Sequence, residues 1–256
     1  MSGSPGLATP RQGLRTRETA FLLVIAAVAW AVTITLSRGM AGMPGAMGLG
    51  LASFVAVWTL MMSAMMLPSV SPTASLYART VVTSRPARIA GLIAGYLGVW
   101  AVAGVPAYGL ARMAGWLAGA HPAAARFLAV AVFATCGAYQ LSSLKDKCLA
   151  HCRSPIALLL HYGSYQGKFR DVRAGAHHGG YCLGCCWSLM AVLIVLGTMN
   201  IVAMAGLAAV VLAEKVAKRG RYVGWLAGVA AIGLAVAAIW LPWLAPGLHA
   251  ANQMTG

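Results

Sequence analysis

The chain has 256 residues, of which 60% are apolar and 9% charged, with nineteen Lys and Arg against four acids; soluble domains run at about 45–50% apolar and about 25% charged. A disordered tail, a disulfide-rich secreted scaffold and a soluble enzyme are excluded, because a soluble fold of this size needs polar side chains that this sequence does not have. What remains is an all-α, polytopic transmembrane helix bundle, with lipid in place of water over most of its surface.

Apolar stretches long enough to cross roughly 30 Å of hydrocarbon predict about seven spans. They cover residues 19–36, 48–67, 89–111, 123–144, 181–197, 201–213 and 222–244. The sixth is short and weak, so six is the alternative count. The apolar core of the first is about 17 residues, beyond the 7–15 of a signal peptide, and reads as a retained anchor. A basic arm (residues 1–18) therefore precedes one membrane domain (19–244), which includes a loop at 145–180, and a short tail (245–256) follows.

Basic residues alternate between the connections. Sixteen of the nineteen fall on one side: Arg11, Arg15 and Arg17; Arg79, Arg85 and Arg88; Lys145, Lys147, Arg153, Lys168, Arg170 and Arg173; Lys215, Lys218, Arg219 and Arg221. Arg38, Arg112 and Arg126 face the other way. Positive residues collect in cytoplasmic loops, so the pattern predicts a cytoplasmic N-terminus and a multi-pass protein of a bacterial inner membrane. It also makes a nucleic-acid partner unnecessary. Close helix packing is predicted at Gly91-x-x-x-Gly95 and Gly224-x-x-x-Gly228.

Five of the six cysteines form two short clusters, Cys148-Leu149-Ala150-His151-Cys152 and Cys182-Leu183-Gly184-Cys185-Cys186. Each places soft ligands at i, i+3 and i+4, one face of a helix. A metal with bonds of about 2.0–2.3 Å to nitrogen and sulfur fits either trio, or ligands drawn from both. Thiols stay reduced in the cytosol, so clusters there point to metal or redox work more than to structural disulfides. Isolated Cys136 reads as a small apolar filler. His161, His177 and His178 lie in the same loop as further candidates, the last two ahead of Gly179-Gly180, which would let the backbone fold back toward the thiols.

Late in the second span, Met61-Met62-Ser63-Ala64-Met65-Met66-Leu67-Pro68 gathers four methionines within an arc of about 140°, level with the cysteines. Thioethers, like thiolates, suit Cu(I). Gly197-Thr198-Met199-Asn200 reads as a tight turn. Glu214-Lys215 reads as a charge pair at a cytoplasmic helix end. With only Asp146 and Asp171 in the metal-rich loop, hard cations have few ligands.

These blocks resemble a family of bacterial integral membrane proteins described as metal-binding. The resemblance rests on Met61–Pro68, on Cys148-Leu149 with Cys152-Arg153-x-Pro155, on Gly180-x-Cys182-x-Gly184-Cys185-Cys186-Trp187-x-Leu189-Met190, and on Met199-Asn200 followed by Glu214-Lys215. It implies metal binding and no particular reaction.

The expected ligands are Cys148, His151, Cys152, Cys182, Cys185 and Cys186, with Met61, Met62, Met65 and Met66 as a weaker path. Cu(I) is the leading ion, and zinc fits the same thiols. Three functions stand open: transport or handling of a soft metal; thiol oxidoreduction at Cys182-x-x-Cys185; and an assembly subunit that delivers metal to a partner cuproenzyme in the membrane. No catalytic residue is assigned.

Overall fold

Several helices start where the sequence supplies a proline or a capping side chain. Pro86 and Pro122 stand in first turns, where a missing N–H leaves no bond unmade. Ser142 and Asn200 cap with their side-chain oxygens, accepting from the backbone N–H of Lys145 and Ala203. The computed structural model describes residues 10–40, 43, 45–81, 84–154 and 162–248. Within them lie eight α-helices and no strand: α1 Pro10–Met40, α2 Leu51–Thr80, α3 Arg85–Ala120, α4 Pro122–Gln140, α5 Ser143–Cys152, α6 Arg170–Leu196, α7 Ile201–Val216 and α8 Gly220–Trp240.

Six stretches are long and apolar enough to cross a membrane: Thr19–Met40, Leu51–Arg79, Arg85–Ala120, Pro122–Gln140, Arg170–Leu196 and Gly220–Trp240. The remaining expected span is α7. Its 16 residues reach only about 24 Å at 1.5 Å per residue, so six full-length spans and one shorter helix replace the seven.

Two boundaries move in ways that matter. The fourth stretch stops at Gln140 rather than 144, because Ser142 turns extended and starts α5 afresh. The fifth starts at Arg170, not 181, so His177, His178 and Gly179-Gly180 are helical. The glycines do not fold the chain back. Instead Gly175 and Gly179 lie against the backbone of Leu92 and Tyr96, while Gly91 and Gly95 lie against Asp171 and Val172. Residue numbers rise together across that contact, so α3 and α6 run parallel with their backbones touching.

Gly224-x-x-x-Gly228 also packs closely, Gly224 against Glu214 and Lys145, and Gly228 against Gln140 and Leu141. α2 runs straight on through Pro68 and Pro72. Pro72 cannot donate to the Pro68 carbonyl, and the Ser71 hydroxyl donates to it at 2.9 Å instead. At the opposite end of the bundle, the Gly197 turn (φ +100) is covered by Gly247 of the 3-10 turn Pro246–Leu248.

Candidate metal centre

The i, i+3, i+4 spacing works as geometry because both clusters are helical. α5 packs on α6, and the face of α5 carrying Cys148, His151 and Cys152 meets the face of α6 around Tyr181, Gly184 and Cys185. Gly184 leaves room for the sulfur of Cys148, which lies 3.1 Å from where a Cβ would stand. His151 stacks on Tyr181, ring centroids 3.6 Å apart. The Cys152 thiol lies next to that of Cys185; this neighbour first, and then burial, holds it well above the usual thiol value. Cys152, Cys182, Cys185 and Cys186 are all buried, and all six cysteines are free thiols.

Behind this face sits a group the sequence reading put elsewhere. Glu214 and Lys215 are not paired with each other. Neighbours on a helix point about 100° apart, and these two leave α7 toward different helices. Glu214 receives Lys145 Nζ at 2.5 Å and Gln140 Nε2 at 3.4 Å, both from the α4–α5 corner. Lys215 turns into the thiols: its Nζ donates to Cys182 Sγ at 2.9 Å and to Ser69 Oγ at 3.2 Å. The Tyr96 hydroxyl of α3 shares a hydrogen bond with the same sulfur at 2.9 Å. Cys182 is thus reached from α3 and α7 at once, with Ser69 of α2 behind Lys215. Lys145, predicted as a loop charge, is buried with Glu214. Arg153 caps α7, its guanidinium donating to the carbonyls of Glu214, Ala217 and Lys218.

The histidines divide. His177 lies beside His151 and Tyr181, with centroids 5.7 and 5.1 Å away. His178 turns inward against Tyr96. His161 lies outside the described residues. Asp171, counted with the loop, belongs to α6 and joins Arg88 at 2.9 Å and the hydroxyl of Tyr77. It fastens α6 to α2 and α3 and offers nothing to the thiols.

Met61, Met62, Met65 and Met66 are at most 2% exposed, in one core with Cys152, Cys182, Cys185 and Cys186. None faces lipid. One turn on, Ser69 reaches Lys215 and through it Cys182, which puts the end of the methionine segment level with the thiols. Asn200 is a turn residue, its amide donating to the Leu196 carbonyl at 3.1 Å.

Among the described residues, no three His, Cys, Asp or Glu side chains converge as a ready ligand set. The thiols are engaged with their surroundings instead. Cys185 and Cys186 turn back to the carbonyl of Cys182, at 3.2 and 2.9 Å. Lys215 and Tyr96 are the residues sequence reasoning missed. Lys215 carried one signal, a lysine next to the short, apolar α7; Tyr96 carried none.

The fold is a membrane-type helix bundle whose core gathers thiols and thioethers, the donor types that soft metal ions take. The chain belongs to the PpoB2 copper chaperone family, whose model matches residues 55–240. That match takes in the methionine segment, both cysteine clusters and Lys215. No curated protein and no solved structure matches the chain.

Proposed function

We propose that the protein is an integral inner-membrane copper chaperone that holds Cu(I) as cargo between α5 and α6 and passes it to a cuproenzyme. The observation carrying this reading is the meeting of the two cysteine faces. Cys152 and Cys185 stand beside each other in that core, Cys148 lies at Gly184, and Cys182 and Cys186 are within the same core. Cys148, Cys152, Cys182, Cys185 and Cys186 are the thiol ligands and His151 the auxiliary one. Cys185 and Cys186 now bond the Cys182 carbonyl, and rotation about χ1 would free their sulfurs for a metal. Thiolate and thioether donors match a soft monovalent ion.

Met61, Met62, Met65 and Met66 form a low-affinity path leading from the thiols along α2. Thioethers bind without a charge of their own, which suits brief residence at several points. Family membership supports delivery over independent transport. The thiols lie at the cytoplasmic end, as the distribution of basic residues indicates.

The test is metal content per chain of the purified protein under reducing conditions. Changing all five cluster cysteines to serine should abolish bound copper while the protein stays monodisperse in detergent. Unchanged copper content would remove these residues from the site.

A further inference from the structure

The buried charges do not cancel in the obvious way. Glu214 lies on Lys145, Asp171 on Arg88 and Asp146 on Arg221. Among the described residues no carboxylate pairs with Lys215. Its ammonium meets only a serine hydroxyl and the sulfur of Cys182, which is 0% exposed. Lys215 is partly buried, yet its ammonium sits against a sulfur with no exposure; a positive charge so placed calls for a negative partner close by, and the thiols are the groups at hand.

We infer that Lys215 is the specificity residue of the cysteine site: its fixed positive charge makes the site prefer a monovalent soft cation to a divalent one. This deepens the proposed Cu(I) site and rests on the cysteines being its ligands. A cation of charge z held by n thiolates forms a centre of charge z − n. The attraction of Lys215 for that centre grows as n − z. For any one set of thiols, Lys215 therefore favours a +1 ion over a +2 ion by one full unit of charge, whatever n is. Two thiolates with Cu(I) and Lys215 are neutral overall, whereas the same thiolates with Zn(II) leave a net positive charge in a dry core. A metal on Cys182 lies about 4–5 Å from Nζ, given bonds of about 2.3 Å to sulfur. One unit of charge at that distance in a medium of effective dielectric about 20 corresponds to a preference on the order of a hundredfold.

Lys215 is a positioning and selecting residue, since its ammonium donates and has no lone pair for a metal. Tyr96 OH is the second donor on the same sulfur and adds no net charge. Charge selection therefore falls to Lys215.

The experiment uses the full chain in detergent under anaerobic conditions. Cu(I) alone and Zn(II) alone are each competed against a chelator, and the ratio of their dissociation constants is read. Lys215→Met should lower the preference for Cu(I) about a hundredfold, and Lys215→Arg should keep it. Ser69→Asp leaves the lysine in place but sets a carboxylate beside Nζ. It should lower the preference in the same direction, and it carries the test if Lys215→Met does not fold. An unchanged ratio in these variants overturns the inference, as does a Lys215→Arg ratio that falls as far as that of Lys215→Met. Failure of the site itself shows separately, as Cu(I) retained by the chain without cluster cysteines.

Discussion

Lys215 reaches across from α7 to place its ammonium 2.9 Å from the sulfur of Cys182, on α6. Its neighbour Glu214 turns to the α4–α5 corner, where Lys145 meets it. One turn of α7 thus fixes two separate charges: one buried ion pair anchors the helix that carries Cys148, His151 and Cys152, and one cation stands against the thiols. Arg153 satisfies carbonyls that the end of α7 exposes, four being left open at every helix C-terminus.

Sidedness is testable through Cys148. It alone among the six cysteines is not buried, so an impermeant maleimide has one main target. With the thiol end in the cytoplasm, the reagent should label inverted membrane vesicles and leave intact cells unlabelled, and Cys148→Ser should remove the signal. Labelling of intact cells would reverse the assigned orientation and revive thiol oxidoreduction on the outer side.

The α3–α6 contact makes a sharp prediction about stability. A methyl group at Gly95 would strike the carbonyl of Val172, and one at Gly175 that of Leu92. Both obstacles are backbone, so the helices must separate. Gly95→Ala and Gly175→Ala should each destabilise by roughly 1–3 kcal/mol, the usual cost of overpacking, seen as an earlier thermal transition in detergent. Gly98, on the same helix, has nothing within 4 Å of its missing Cβ. Gly98→Ala should be neutral or slightly stabilising, since alanine is the better helix former. Equal effects at all three positions would mean the backbone contact is not what these glycines serve.

Much of this was legible before any coordinates. Hydropathy placed the helices because lipid tolerates only backbone that bonds to itself, and the cysteine spacing matched one face of a helix. What sequence could not show was pairing across the bundle. Gly179 and Gly180 looked like flexible loop glycines because hydropathy falls off ahead of residue 181. In the structure that polar stretch is the outer part of a long helix, fastened by Asp171 to Arg88. Lys145 read as a loop charge, and Glu214 as paired with its neighbour Lys215. Only their contact, 69 residues apart in sequence, lets both be buried. Lys215 was hidden for the same reason: its partner lies on another helix, and spacing along one chain does not encode that.

The Lys145–Glu214 pair is expected to behave as a buried one, with side chains 2% and 1% exposed. Removing one partner leaves the other charge stranded, at a cost of about 3–5 kcal/mol, whereas apolar replacement of both is often close to neutral. Lys145→Met and Glu214→Leu should each lower thermal stability strongly, and the double variant should recover most of the loss. Because α5 hangs on this pair, the single variants should also weaken copper retention. Single variants as stable as the wild type would show that water screens the pair.

The methionine segment separates packing from metal handling. Met61, Met62, Met65 and Met66 are buried, and a core methionine is often a flexible filler. Leucine keeps nearly the same volume, and such swaps usually cost less than about 1.5 kcal/mol, but it has no thioether. The quadruple Met→Leu variant should therefore fold and, if the thiols alone set affinity, bind copper at equilibrium as the wild type does. Its release of Cu(I) to an acceptor chelator should be slower, because the ion must leave the cysteines without intermediate donors. Stopped-flow transfer to a chromogenic Cu(I) chelator measures that rate. A rate equal to the wild type's would make the methionines packing residues and leave the cysteines as the whole of the site.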